Sequence, residues 1–114
     1  MQHPPSFDDN RPPFDPEFAR ELIGKYVLVG VTIEDRRGET LRQEQFHGTV
    51  VSANADSGIN LVLRGTREGE SKSLPPATHV FRAIPPGSYN LRGTGETVID
   101  PDFTSQWVLV QPDA

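Results

Sequence analysis

The run Tyr26-Val27-Leu28-Val29-Gly30-Val31-Thr32-Ile33 constrains this chain more than any other. It is rich in β-branched residues and apolar in both alternating registers, so neither face of the strand it predicts belongs in water. Such a strand lies centrally in its sheet, with material packed on both sides. The sequence after it keeps a strand period. Asp35-Arg36-Arg37-Gly38-Glu39 reads as a hairpin turn, with Gly38 supplying the positive φ. A long strand is expected from about Leu41 to Ala53, with Gly48 in its middle, where a missing side chain permits a sharp bend. Leu61-Val62-Leu63 forms a third strand, Arg64 to Ser71 a charged tip, and Ser73-Leu74-Pro75-Pro76 a break in the ladder. His79 to Ile84 resumes as a strand, and Pro85-Pro86-Gly87 interrupts it. Short strands at Ser88–Arg92 and Thr97–Asp100 flank the turn Gly93-Thr94-Gly95-Glu96, and Gln106 to Val110 closes the series. Short strands separated by turn chemistry, with no long helical pattern, predict an all-β fold. The expected form is a small antiparallel, strongly bent β-barrel, with a short N-terminal helix before it and an additional C-terminal β-meander.

The helix is read over residues 16–23. Asp15 can accept from free amides at its start, Pro16 fits the first helical position, and Gly24 closes it. Phe18, Leu22 and Ile23 fall on one face, and a helix this short needs that face packed to persist. Asp100-Pro101-Asp102-Phe103 repeats the same grammar and predicts a single further turn. Residues 1–14 hold Pro4, Pro5, Pro12 and Pro13 among polar and acidic neighbours, which predicts a disordered or extended arm. Phe7 and Phe14 in that arm are candidates to dock on the barrel or on a neighbouring molecule. Residues 15–111 then form one barrel domain.

The charge distribution narrows the partners. The chain carries 16 acidic and 11 basic residues, net −5, with the excess near its ends. Over 24–111 acids and bases nearly balance, so the folded part has no general pull on phosphates. There is no cysteine, which excludes disulfides, thiolate metal sites and thiol nucleophiles. The first residues lack the basic and apolar regions of a signal peptide, and no apolar run reaches membrane-spanning length, so a cytoplasmic location is expected.

Catalysis has little to stand on. His3, His47 and His79 are scattered without metal-ligand spacing, and His47, mid-strand between Phe46 and Gly48, reads as a core or edge histidine. Asp100 and Asp102 flank Pro101 in a turn, where capping is the expected role. No nucleophile elbow, P-loop or dinucleotide fingerprint is present. No catalytic residue, metal or cofactor is therefore expected. Tyr26, Phe46, Phe81, Tyr89, Phe103 and Trp107 are expected largely in the core.

One stretch carries a family signature. In Phe46-His47-Gly48-Thr49-Val50-Val51-Ser52-Ala53-Asn54-Ala55-Asp56-Ser57-Gly58-Ile59-Asn60-Leu61-Val62-Leu63, a strand with an internal glycine leads to an aspartate and, four residues later, an asparagine opening an apolar strand. This resembles the first motif of Sm-like proteins, with the short helix before it in the family's order. The resemblance spans roughly residues 16–84. It implies that Asp56 and Asn60 help to form a pocket for a stacked nucleobase in a ring oligomer, with Ile59 at the stacking position. Val80-Phe81-Arg82-Ala83 is similar to the second motif, with Arg82 in place and alanine where the family has glycine.

Two functions follow. The first is a non-catalytic barrel that binds another protein or assembles with itself through an exposed strand edge and the Pro-rich arm. The second is an Sm-like RNA-binding protein using Asp56, Asn60 and Arg82, which the near-neutral barrel and acidic ends disfavour.

Overall fold

The computed structural model describes residues 14–111, so the arm expected over 1–14, with Phe7 and His3, lies outside the described residues except for Phe14. Among the described residues there are eight strands and one α-helix: α1 (Pro16–Leu22), β1 (Tyr26–Glu34), β2 (Thr40–Asn54), β3 (Gly58–Leu63), β4 (Ser71–Leu74), β5 (Arg82–Ala83), β6 (Ser88–Asn90), β7 (Thr97–Ile99) and β8 (Phe103–Val110). Six of the strands form one sheet in the order β4-β3-β2-β1-β8-β5, and β6 and β7 form a separate hairpin. Among the described residues no helix is long and apolar enough to cross a membrane.

β1 sits inside the sheet, as its two apolar registers require. Val27, Val29, Val31 and Ile33 point into the main core, with Phe46, Val50, Ile59, Leu61, Leu63, Leu74, Phe81 and Trp107. Leu28 points the opposite way and is covered by Leu91 and Val98 of the β6–β7 hairpin. The C-terminal meander is therefore the second cover of the central strand. It also explains a departure from expectation. The chain crosses the outer face of the sheet in that hairpin and re-enters beside β1, so β8 pairs with β1 in parallel, Val27 opposite Phe103 through Glu34 opposite Val110. The other ladders are antiparallel, as expected.

The sheet curls. Leu74 of β4 and Phe81 beside β5, from opposite ends of the strand order, belong to one core, and Phe81 meets Trp107 edge-on at 6.0 Å between ring centroids. No ladder joins β4 to β5, so the expected barrel is not closed. The bend of β2 has two causes. A Cβ on Gly48 would collide with the Val62 carbonyl oxygen, so only glycine lets β3 cross so close. Val51 then has no opposite number, since Val50 pairs with Leu61 and Ser52 with Asn60, and this bulge sharpens the turn.

Three local expectations need correction. The segment 71–74, expected as part of a charged tip and a ladder break, is strand β4. Its Leu74 is buried, and Pro75-Pro76 ends an edge strand rather than preventing one. The strand expected over His79–Ile84 shrinks to Arg82–Ala83, because Thr78–Val80 forms a 3-10 turn that carries the chain round the corner of the core. Thr78, buried there, accepts from the Asp15 amide at 2.9 Å and so ties this turn to the start of α1. Asp100-Pro101-Asp102 starts no helical turn, since Phe103 opens β8. Each carboxylate instead holds a distant amide, Asp100 that of Gly87 at 2.8 Å and Asp102 that of Tyr26 at 3.0 Å. Helix α1 follows its reading except at its end, since it stops at Leu22 and leaves Ile23, expected on the packed face, as an exposed cap. Asp15 Oδ1 accepts from the amides of Glu17 and Phe18, Leu22 is fully buried, and Phe18 packs edge-on against Phe103. Phe14 packs on the same core, as proposed for an arm phenylalanine.

Candidate functional site

Three places gather polar chemistry or leave backbone unpaired. The first lies under the β6–β7 hairpin. His47 pairs opposite Leu28 on the outer face of β2 and is 5 % exposed. Its Nε2 lies 2.5 Å from Glu96 Oε1, and its Nδ1 lies 2.7 Å from the Tyr26 hydroxyl. Thr66 Oγ1 donates to Glu96 Oε2 at 2.6 Å. The Arg64 guanidinium stacks 4.0 Å from the Tyr26 ring centroid and donates to Thr49 Oγ1 at 2.9 Å. Gly65 closes the cluster: its φ is +76°, and any side chain there would strike Glu96 Oε1 and His47 Nε2.

The surroundings shift two of these groups. Hydrogen bonds from His47, and then from Thr66, hold the Glu96 carboxyl down to about 2 against the opposing effect of burial. Burial pushes the Tyr26 phenol up, with the Arg64 charge working against it. The ionised Glu96 carboxylate accepts from the imidazole at Nε2, and the Tyr26 hydroxyl bonds Nδ1. Both imidazole nitrogens are engaged by protein groups, so the ring offers no lone pair to a substrate. The arrangement acts as a clamp, fastening the hairpin through Glu96 to β1 and β2.

The second place is the β2–β3 turn that carries the resemblance. Asp56 is exposed. Asn54 Oδ1 organises the turn by accepting from the amides of Asp56 and Ser57 at 3.0 and 2.7 Å. The Asn60 amide is spent within the sheet: Nδ2 donates to Ser52 Oγ at 2.9 Å and to Ser57 Oγ at 3.3 Å, while Oδ1 accepts from Ser73 Oγ at 2.6 Å. Asn60 thus laces β2, β3 and β4 together. Arg82 is exposed on β5, which lies four places from β3 in the sheet order. It lines a cleft of about 380 Å³ with His79, Thr104 and Gln106. Asp56 and Asn60 share one turn, and Arg82 belongs to a different flank.

The third place is the edge of β8. β5 pairs only with Phe103 and Thr104, so beyond Thr104 that flank of β8 has no ladder partner among the described residues. The Gln111 amide donates to the Glu34 carbonyl on the β1 side, and the Ile84 amide to the Asp102 carbonyl on the β5 side. Strand alternation then turns the backbone groups of Gln106, Val108 and Val110 away from β1, those of Gln106 toward the cleft it shares with His79 and Val80 and those of the two valines toward solvent. Val108 and Val110 are 61 % and 59 % exposed, and Leu109 is 40 % exposed. No charged residue, proline or glycine occurs from Phe103 to Val110.

The sequence does not announce Tyr26 and Glu96 as partners of His47, nor Thr66 as a partner of Glu96. They stand far from it in the chain, and nothing local to His47 marks them. The β8 edge carries a signal in the sequence, an unbroken neutral strand, but as the strand that closes the series it does not say which of its edges is left open. No candidate metal site of clustered histidine, aspartate or glutamate occurs among the described residues. Compared with known proteins, the chain matches no family model, no curated protein and no solved structure.

Proposed function

We propose that this protein is a non-catalytic interaction module whose β8 edge accepts an extended strand from another polypeptide. One observation carries the reading: a neutral strand segment with outward backbone donors and acceptors and exposed valines, beginning where β5 ends at Thr104. An added strand gains ladder hydrogen bonds along Gln106, Val108 and Val110, and its side chains cover the valines. The curl of the sheet and the short N-terminal helix support reading the scaffold as an open variant of the bent, Sm-type barrel. The absence of cysteine suits a reducing, cytoplasmic setting. RNA at Asp56 and Asn60 is supported less well, because the Asn60 amide is already spent on three serines.

The test uses a labelled peptide carrying the Phe103–Gln111 sequence with solubilising lysines at both ends, titrated with the intact protein and followed by anisotropy. Saturable binding is expected. Val108→Pro removes an outward amide and no β1 ladder bond, so it should weaken binding about tenfold or more with the fold retained. Val51→Lys, at an exposed bulge on β2, should leave binding unchanged. A peptide that binds neither protein at high micromolar concentration, or binds the proline variant equally well, removes this function.

A further inference from the structure

We infer that the strand accepted by β8 is β8 of a second copy, the two running antiparallel about a twofold axis at Val108. The inference rests on the strand-acceptor reading above and names its occupant. A strand that completes this edge must present backbone groups at alternate positions, carry apolar side chains on the outer face, and bring no charge to the seam. β8 meets each requirement itself.

The register follows from the geometry. Because the backbone groups of Val108 face outward, an antiparallel mate centred there makes Val108 a hydrogen-bonded pair with its own symmetry equivalent. Gln106 then pairs with Val110 of the second copy, Val110 with its Gln106, and Leu109 stands across from its Trp107. The pairing covers the exposed valines of both chains and lays Leu109, 40 % exposed in one copy, beside an indole. It also fits the space available. β5 pairs with the edge only as far as Thr104, and His79 and Val80 border Gln106 across a cleft of about 380 Å³, so the incoming strand lies along Val108–Val110 and its own Val110 enters that cleft opposite Gln106.

The rival occupants within this chain fit less well. β4 is four residues long, and its Lys72 reaches toward Glu44, with Nζ 4.0 Å from Oε1. Pro75 and Pro76 follow it at once and offer no amide donors. The N-terminal segment carries four prolines within its first thirteen residues, each lacking a ladder donor.

The chain has no cysteine, which makes the test clean. Val108→Cys would place the two thiols across a hydrogen-bonded antiparallel pair, with Cα atoms about 5.5 Å apart, inside the range a disulfide spans. Expected results are a dimer of the unmodified protein by sedimentation equilibrium and ready oxidative cross-linking of Val108→Cys. Val51→Cys, comparably exposed, should not cross-link, and Val108→Pro should be monomeric. Each copy carries net −5, so added salt should strengthen the dimer by screening repulsion, whereas it would weaken an ion-paired one. A monomer that still binds the β8 peptide overturns self-pairing and leaves strand acceptance standing. A monomer that does not bind the peptide overturns both. A dimer that persists in Val108→Pro, or in which Val51→Cys cross-links as fast as Val108→Cys, uses another surface and also overturns the inference.

Discussion

The two flanks of the six-stranded sheet are treated in opposite ways. The β4 flank is short, carries a lysine directed toward Glu44, and runs into two prolines. The lower half of β2, which β3 leaves unpaired before Gly48, carries Arg42 and Glu44, joined at 3.3 Å. These are the devices by which proteins keep open strand edges from meeting one another. On the other flank those devices are confined to β5, two residues long with Arg82 and followed by Pro85-Pro86, and β8 beyond it has none of them. It is longer, uncharged, and exposes Val108 and Val110 where β4 exposes serines. A protein that guards one flank with charge and proline along its length and leaves most of β8 bare on the other has the chemistry of a module with one sticky side. If the contrast has this meaning, changes that loosen the β4 flank should leave β8 association intact.

The harshest way to break the contrast is Gly48→Val. Its Cβ would press on the Val62 carbonyl, and backbone of a paired strand cannot swing aside as a side chain can. We expect a loss of about 3 kcal/mol, at the upper end of overpacking costs, measured by urea denaturation. Hydrogen exchange should rise first at the amides of β3 and β4. Association through β8 should survive wherever the variant is folded. If the variant folds and dimerisation vanishes with the β4 flank, the two edges are coupled and the contrast fails.

The same contrast shows what the sequence made legible. The double apolar register of 26–33 placed β1 at the centre because burial on both faces leaves a direct mark on composition. Asp15-Pro16-Glu17 marked the start of α1 because capping is local chemistry, and Gly48 announced a close crossing. The parallel entry of β8 left no such mark. A strand of Phe, Thr, Ser, Gln, Trp, Val and Leu reads the same in either direction, and only the path of the hairpin over Leu28 decides it. β4 was hidden because edge strands tolerate the lysine and proline that argue against a central one. In the candidate sites, His47 was visible as a strand histidine, but its partners Tyr26 and Glu96 stand 21 and 49 residues away. The exposure of Val108 depends on β5 being two residues long, which the apolar run through Phe81 concealed.

Asn60→Ala tests the guarded flank more gently. It removes an amide that bonds three serines and hydrogen-bonds β2 to β4 across β3. A cost of about 1–2 kcal/mol is expected, since these bonds are only partly buried. Exchange should increase in β4 and the β2–β3 turn and stay unchanged in β8. The variant also separates the two readings of this residue. A structural lace predicts lost stability with peptide binding at β8 unaffected, and a stability equal to the unmodified protein would show that Asn60 is not holding β4 in place.

The smallest effect concerns the clamp lying on the outer face between the flanks. The Glu96 carboxyl is depressed to about 2 by its bonds from His47 and Thr66, below the 4.5 of the free side chain. A depressed acid stabilises the fold above its unfolded value, and that contribution drains away as pH falls from about 4.5 toward 2. His47 and Thr66 bond this carboxylate directly, and Tyr26, with Arg64 stacked on it, lies behind His47. Glu96→Gln keeps the shape and removes the charge, so it should cost about 1 kcal/mol at neutral pH, allowing for partial solvent screening. The difference between the two proteins should narrow through that acid window and close near its lower end. Denaturation at a series of pH values measures it, and a constant difference from pH 7 to 3 would mean that Glu96 acts by packing alone. Because the clamp fastens the β6–β7 hairpin to β1 and β2 and touches neither edge, Glu96→Gln should leave cross-linking at Val108→Cys unchanged. Loss of that cross-link would place the hairpin, rather than the bare strand, in control of association.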